Sequence, residues 1–177
     1  MTTLFKASGS AGASGAAHGS RGVFSLPGRL FDAHEAVGRG LAAYLEPLFN
    51  LAARIWMGKI FFDSGLIRIS TWEKQASLFT NIHPVPGVPG NIAAIAATAG
   101  ELALPVLLVV GLFTRVPALG LLIMSFVIQF VSAQTPQGIE NEISNPQHYL
   151  WMFLFGYLVI RGGGPLSIDG FIKSQRE

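Results

Sequence analysis

Four ionisable side chains stand inside stretches that are otherwise almost continuously apolar: Arg54, Lys59 and Asp63 in LFNLAARIWMGKIFFDSGLI, and Glu101 in TAGELALPVLLVVGLFTR. Away from bulk water such groups interact strongly with a reacting partner, so a guanidinium or ammonium can polarise a carbonyl and a carboxylate can relay its protons. Lys59 and Asp63 are one helical turn apart and can pair within a single helix, although this order is the less favourable one. The two positive and two negative charges sum to zero, as a buried network requires. They are expected to face one another, with Glu101 level with the stretch from Arg54 to Lys59. Paired charges of this kind also serve as packing glue alone, and the residues give the two uses about equal weight.

Charge in apolar surroundings is informative only if the surroundings are a membrane, and the composition says that they are. Half of the 177 residues are apolar, 12% are charged, and the mean hydropathy is +0.48. A soluble domain carries about 25% charge. The chain has no cysteine, which removes disulfides, thiolate nucleophiles and cysteine-ligated metal or iron–sulfur sites. The net charge of +2, with no dense run of Lys and Arg, argues against a nucleic-acid partner.

Crossing a bilayer takes about 20 mostly apolar helical residues. Four segments meet that length, at about 47–67, 91–113, 116–133 and 146–160, the last being short. The expected fold is therefore all-α, an integral membrane four-helix bundle over residues 29–172. Residues 1–28, rich in Gly, Ala and Ser, read as a disordered tail without a signal-peptide core. The stretch that follows reads as a surface helix before the first span, which starts at Pro47, a favourable first-turn residue. Asn91 and Asn145 suit helix N-caps, and Thr114 and Arg115 leave room only for a tight hairpin between the second and third spans. Pro105, one turn after Glu101, predicts a kink. Gly58 and Gly65 share a face with Arg54 and admit a close neighbour. Between the first two spans, Ile69, Trp72, Ala76 and Phe79 predict a short amphipathic helix and then a proline-rich strap, together a lid on the outer side. Residues 173–177 are left as a short tail.

Lys and Arg crowd on the side of both termini, at Lys6, Arg21, Arg29, Arg39, Arg115, Arg161, Lys173 and Arg176, against Arg68 and Lys74 opposite. The positive-inside rule then places a multi-pass protein in the inner membrane with both termini cytoplasmic. None of His18, His34, His83 and His148 lies in the middle of a span, so bound haem is not expected. His83 and His148 both fall on the outer side, near Glu140 and Glu142, but without ligand spacing, and no metal site is assigned to them. The bland use, polar groups at a wet interface beside Trp72, Trp151 and Tyr149, is favoured.

Three stretches together carry a family resemblance: RIWMGKIFFDSGLIRI, GELALPVLLVVGLFTRVPAL and GGGPLSIDGFI. Over about residues 47–172 the chain resembles the DoxX family of small four-helix membrane proteins, the most specific element being the Glu of the second helix followed by a GL-x-x-R turn. The resemblance implies Arg54, Gly58 and Gly65 in the first helix, Glu101, Gly111 and Arg115 around the hairpin, and Ser167 and Asp169 in the tail. Arg68 stands where such chains often carry lysine. The family takes its name from a subunit of an archaeal thiosulfate:quinone oxidoreductase, and other members are associated with oxidative-stress or thiol-redox partners. The resulting expectation is a subunit or accessory of a quinone-linked redox or stress-defence system, working with a partner protein that carries the redox centre. If the chain takes part in catalysis it does so as an oxidoreductase subunit, with Arg54 or Lys59 on a quinone carbonyl and Glu101 and Asp63 relaying protons. Arg115 and Asp169 are expected to pin the hairpin turn to the tail. The alternatives are a non-catalytic membrane scaffold docking a partner and, behind it, a small transporter or metal-handling protein. The oligomeric state is not readable.

Overall fold

The computed structural model describes residues 25–176. Among the described residues every regular element is a helix. Two compact units divide between Leu41 and Ala42. In the first, residues 28–41 are exposed throughout, and Arg39 and Glu35 form an exposed ion pair at 3.5 Å.

Helix α1 is one element, Ser25–Ser70, and passes through Pro47. The expected helix start at Pro47 is thus corrected. A proline removes only its own N–H, and the strong helix formers around it, Ala42, Ala43, Leu45 and Glu46 before and Leu48, Leu51, Ala52 and Ala53 after, carry the helix past the gap. The lid helix α2 is Trp72–Asn81. Its buried residues are Gln75 and Phe79, whereas Ile69, at the end of α1, and Trp72 are 53% and 47% exposed. Phe79 packs on Ala93 and Ala94 of α3.

Helix α3, Gly90–Val110, continues through Pro105 and stops at Gly111, whose φ of 76° is left-handed. Helix α4, Arg115–Phe126, runs on as a π-helical turn, Val127–Val131, and a 3-10 turn, Ser132–Gln134. Neither turn is visible in the apolar pattern. A short α5, Pro136–Glu140, capped by Thr135, leads to α6, Pro146–Arg161, capped as expected by the Asn145 side chain. The tail contributes one more helix, α7, Ile168–Ser174, capped by Ser167.

One core joins α1, α3, α4 and α6: Met57, Phe61, Leu108, Ala118, Leu121, Phe155 and Leu158 are all nearly or wholly buried. Phe61 stands edge-on to Trp151 and Phe155, at 5.4 and 5.3 Å between centroids, a favoured aromatic geometry. Gly90–Val110 and Arg115–Gln134 are long and apolar enough to cross a membrane. Outward from the core stand Trp56, Ile95, Ile123 and Phe153, between 49% and 83% exposed together with Val106, a surface suited to hydrocarbon rather than water.

Candidate functional site

The α1–α3 contact sets the register of the charged groups. A Cβ on Gly58 would lie 3.5 Å from the Pro105 carbonyl oxygen, and one on Gly65 would lie 2.9 Å from Leu102 and 3.2 Å from the carbonyl carbon of Glu101. The two backbones therefore touch at both glycines, and Glu101 sits opposite Gly65 rather than opposite Lys59. Its partner is Arg68, whose Nε donates to Glu101 Oε2 at 2.6 Å. The pair is buried, the side chains being 16% and 3% exposed. Arg68 Nη1 also donates to Gln75 Oε1 at 3.3 Å, and the guanidinium lies 4.8 Å from the centre of the Phe79 ring. Gln75 is in turn held by its amide on the Thr71 hydroxyl, at 2.8 Å. The lid helix thus completes the guanidinium's surroundings, with a cation–π contact as well as a hydrogen bond.

Two cavities meet at this pair. One, of about 270 Å³, is walled mostly by apolar residues such as Val85, Ala97, Met124 and Val127. The other, of about 210 Å³, is more polar and includes Ser64, Asn145 and His148. Arg68, His83 and Glu101 line both. His83 is pushed down to about 4 by burial, and further by the charge of Arg68 and by His148, so its ring is neutral at neutral pH. His148 is fixed from the π-helical turn, where the Gln129 amide oxygen lies 2.7 Å from its Nδ1 and accepts from the Asn145 N–H at 3.1 Å. The Gln129 amide nitrogen donates to Ser144 Oγ and Tyr149 OH, at 2.9 and 3.2 Å. Single π-helical turns inside α-helices are frequent at functional sites. Among the described residues no group of three or more His, Cys, Asp or Glu is arranged for a metal ion.

The other intramembrane arginine has a different setting. Arg54, wholly buried, donates from Nε to Asn50 Oδ1 at 3.1 Å, from Nη1 to the Val109 carbonyl at 3.0 Å, and from Nη2 to the Leu166 carbonyl. Asn50 reaches the Gly162 carbonyl at 2.8 Å. Asp169 accepts from the N–H groups of Phe113 and Thr114, both at 2.8 Å, and from the Thr114 hydroxyl at 2.9 Å, while its own N–H donates to the Gly111 carbonyl at 3.0 Å. Burial pushes the Asp169 carboxyl up, but these donors and the nearby Arg54 outweigh it and hold it below the usual carboxylate value. Gly111 is needed for its left-handed φ and for space, since a Cβ there would stand 2.5 Å from Arg54 Nη1. Arg115 donates to the Ile160 carbonyl at 3.3 Å. Of the residues that the family resemblance implies around the hairpin and tail, Gly111, Ser167, Asp169 and Arg115 gather at one latch, with Asp169 on the turn and Arg115 on the end of α6, whereas Glu101 lies apart beside Arg68.

The four groups expected to cluster are thus separated. Glu101 meets Arg68, Arg54 belongs to the latch, and Lys59 pairs with Asp63 on an outward face where their side chains are 73% and 49% exposed. Glu101 lies between one and two turns of α1 beyond Lys59, past the expected level, because the close contact at Gly65 sets the register. Gln75, Gln129 and Asn50 went unnoticed in the sequence, although a glutamine inside FVIQFVS carries the same signal that singled out Glu101. His83 and His148 do approach one electrostatic neighbourhood, through the second cavity.

Comparison with known proteins bears on this arrangement. The DoxX family model matches residues 49–134, the stretch that holds Arg54, Arg68, Glu101 and Gln129. An uncharacterized protein of Haemophilus influenzae is 32% identical over 130 residues, covering 70% of this chain and 82% of the relative. No solved structure matches the chain. With the outward apolar surface and the two helices able to cross a bilayer, these findings lead to one statement of kind: the chain belongs to the DoxX family and is a membrane protein.

Proposed function

We propose that the chain is an inner-membrane subunit that receives the head of a lipid-soluble quinone beside Arg68 and Glu101 and works with a separate redox protein. The observation that carries this reading is the buried Arg68–Glu101 pair, the polar floor of a largely apolar cavity. The donor set fits such a head group. Arg68 spends Nε on Glu101 and Nη1 on Gln75, and no described residue engages Nη2, which can donate to a carbonyl oxygen. Ile123, half exposed on the outer surface, borders the same cavity and gives an apolar molecule a way in from lipid. A bound quinone supplies two-electron, two-proton redox chemistry. Arg68 orients the head, Glu101 holds or takes a proton, and the neutral His83 offers a second proton acceptor between the two cavities. Arg68 takes the role that sequence reasoning gave to Arg54 or Lys59. The positive-inside distribution supports cytoplasmic termini, which puts this pocket and its lid toward the outer leaflet.

The test is decylubiquinone binding to the purified chain in lipid nanodiscs, read by quenching of tryptophan fluorescence, since Trp151 lines the adjoining cavity. Glu101→Gln and Arg68→Gln are expected to weaken binding at least about tenfold, the order of one lost charge-assisted hydrogen bond, and Lys59→Gln to leave it unchanged. Unaltered quenching in both pocket variants would overturn the reading. A second reading, a membrane scaffold that docks a partner, is favoured by Lys59 and Asp63, an ion pair on a face otherwise made of Ile55, Val106 and Val110. Hydrocarbon is a costly neighbour for such a pair, and a partner's polar groups would relieve that cost. On that reading Glu101→Gln lowers the melting temperature with no effect on quinone.

A further inference from the structure

The outward face of α1 carries a repeat that the bundle does not use. Leu45, Ala52, Lys59 and Leu66 recur every seven residues, and Leu48, Ile55 and Phe62 recur at the same interval between them. Alternating spacings of three and four make the seam of a left-handed coiled coil, along which two helices of the same kind wind around each other. Phe62 is half-buried and the other six are exposed. Met57 and Phe61, on the other side of α1, enter the core instead.

At the centre of the seam stands Lys59, paired with Asp63 one turn on. Gly58 and Gly65 bracket the pair and touch α3 at Pro105 and Leu102. The pair therefore lies level with residues 102–105 of α3, within a helix long enough to cross the membrane. Charge at that depth normally turns to the interior of a bundle or to a polar cavity. Here both side chains are open to the outside. Beside them runs a groove of about 350 Å³, shared by Ile55 and Phe62 with Pro105, Val106 and Val109 of α3.

A partner for this face must bring an apolar helix and a pair of opposite charges, and a second copy of α1 brings both. Two copies inserted in the same sense run parallel about a two-fold axis along the membrane normal, so the seam meets itself in register. Each Lys59 ammonium can then reach the Asp63 carboxylate of the other copy as well as its own, giving four alternating charges that sum to zero. A single lysine at a seam position is also a device that fixes the register and the number of strands of a coiled coil. Lipid tails could cover the apolar positions but offer nothing to the ion pair. We propose that the chain forms a parallel homodimer along this seam, with Lys59 and Asp63 bridging across the axis. The proposal rests on the membrane reading and names the partner of the outward ion pair; it does not depend on the quinone pocket.

The test uses the full chain in native membranes, where single thiols can be introduced because the sequence has no cysteine. On oxidation, Leu48→Cys and Ile55→Cys are expected to give a disulfide-linked species of twice the chain's mass. Phe153→Cys, more exposed and on α6, should give none. Asp63→Lys in the Ile55→Cys chain should lower the linked fraction at least about tenfold, because like charges then meet across the axis. Lys59→Asp together with Asp63→Lys should restore it. No linkage at Leu48 and Ile55, equal linkage at Phe153, an undiminished yield with Asp63→Lys, or no recovery in the exchanged pair each overturns the proposal. So does a linked product of any other mass, which makes the partner a different protein. Decylubiquinone quenching in these variants should match the natural chain, so that failure of the dimer is read separately from failure of the pocket.

Discussion

Asp169 shows how much one carboxylate can organise. It satisfies two backbone donors and one hydroxyl at the turn between α3 and α4, and its own N–H closes the ring onto Gly111. Asp169→Ala should destabilise the protein by about 1.5–3 kcal/mol, the range for hydrogen bonds to a charged group, measured by thermal or denaturant unfolding in detergent. Asp169→Asn, which keeps an acceptor, should cost less. Because the carboxyl lies below its usual value of 3.8 in the folded chain, its stabilisation is present above that pH and is lost as the pH falls through the lower folded value. The natural chain should therefore lose stability below about pH 4 along a slope that Asp169→Asn flattens. That the tail aspartate joins the hairpin turn was legible in the sequence through the family resemblance. That Arg54 closes the same latch was not, because a buried arginine satisfied by carbonyl oxygens leaves no partner of opposite charge to find.

Helix ends that were written in local chemistry were readable, and those decided by distant packing were not. Pro146 after Asn145 marks its boundary by the chain's own preferences, whereas the second span, expected to reach residue 113, stops at the left-handed Gly111. The passage of α1 through Pro47 and the π-helical turn of Val127–Val131 depend on what the neighbouring residues and helices accept. The partner of Glu101 belongs to the same class, since only the touching glycines fix the register of α1 on α3. Gly111→Ala makes this concrete at the scale of an element. The left-handed position should cost about 1 kcal/mol, with more from the approach to Arg54 Nη1. The expected result is a lower melting temperature with quinone quenching unchanged, because the substitution lies in the latch and not beside Arg68. A loss of quinone binding at undiminished stability would contradict the separation of the two sites.

The unit that begins at Ala42 has two polar ends joined by an apolar middle. At one end the lid helix α2 encloses Arg68, and at the other α7 and the hairpin turn enclose Asp169 and Arg54. The absence of cysteine makes the proposed orientation simple to test, since any introduced thiol is the sole target of a reagent. Val88→Cys, in the strap after α2, should react with a membrane-impermeant maleimide applied to spheroplasts. Ser174→Cys, at the end of α7, should react only after the membrane is opened. The reverse pattern would invert the topology. The class of fold and two of the four expected spans, Gly90–Val110 and Arg115–Gln134, were open to sequence reasoning because lipid imposes length and composition directly. The proposed site lay hidden because a few polar contacts between helices are weak signals against that background.

The latch also orders events in time. Arg54 lies in α1, whereas one of the carbonyl groups that complete its shell belongs to Leu166, made more than a hundred residues later. Until that segment arrives, the inserting chain carries a guanidinium only partly satisfied, at a place where lipid offers nothing in exchange. Synthesis that stalls before residue 166 therefore leaves an intermediate marked by its own unmet polarity, which membrane chaperones and proteases can recognise.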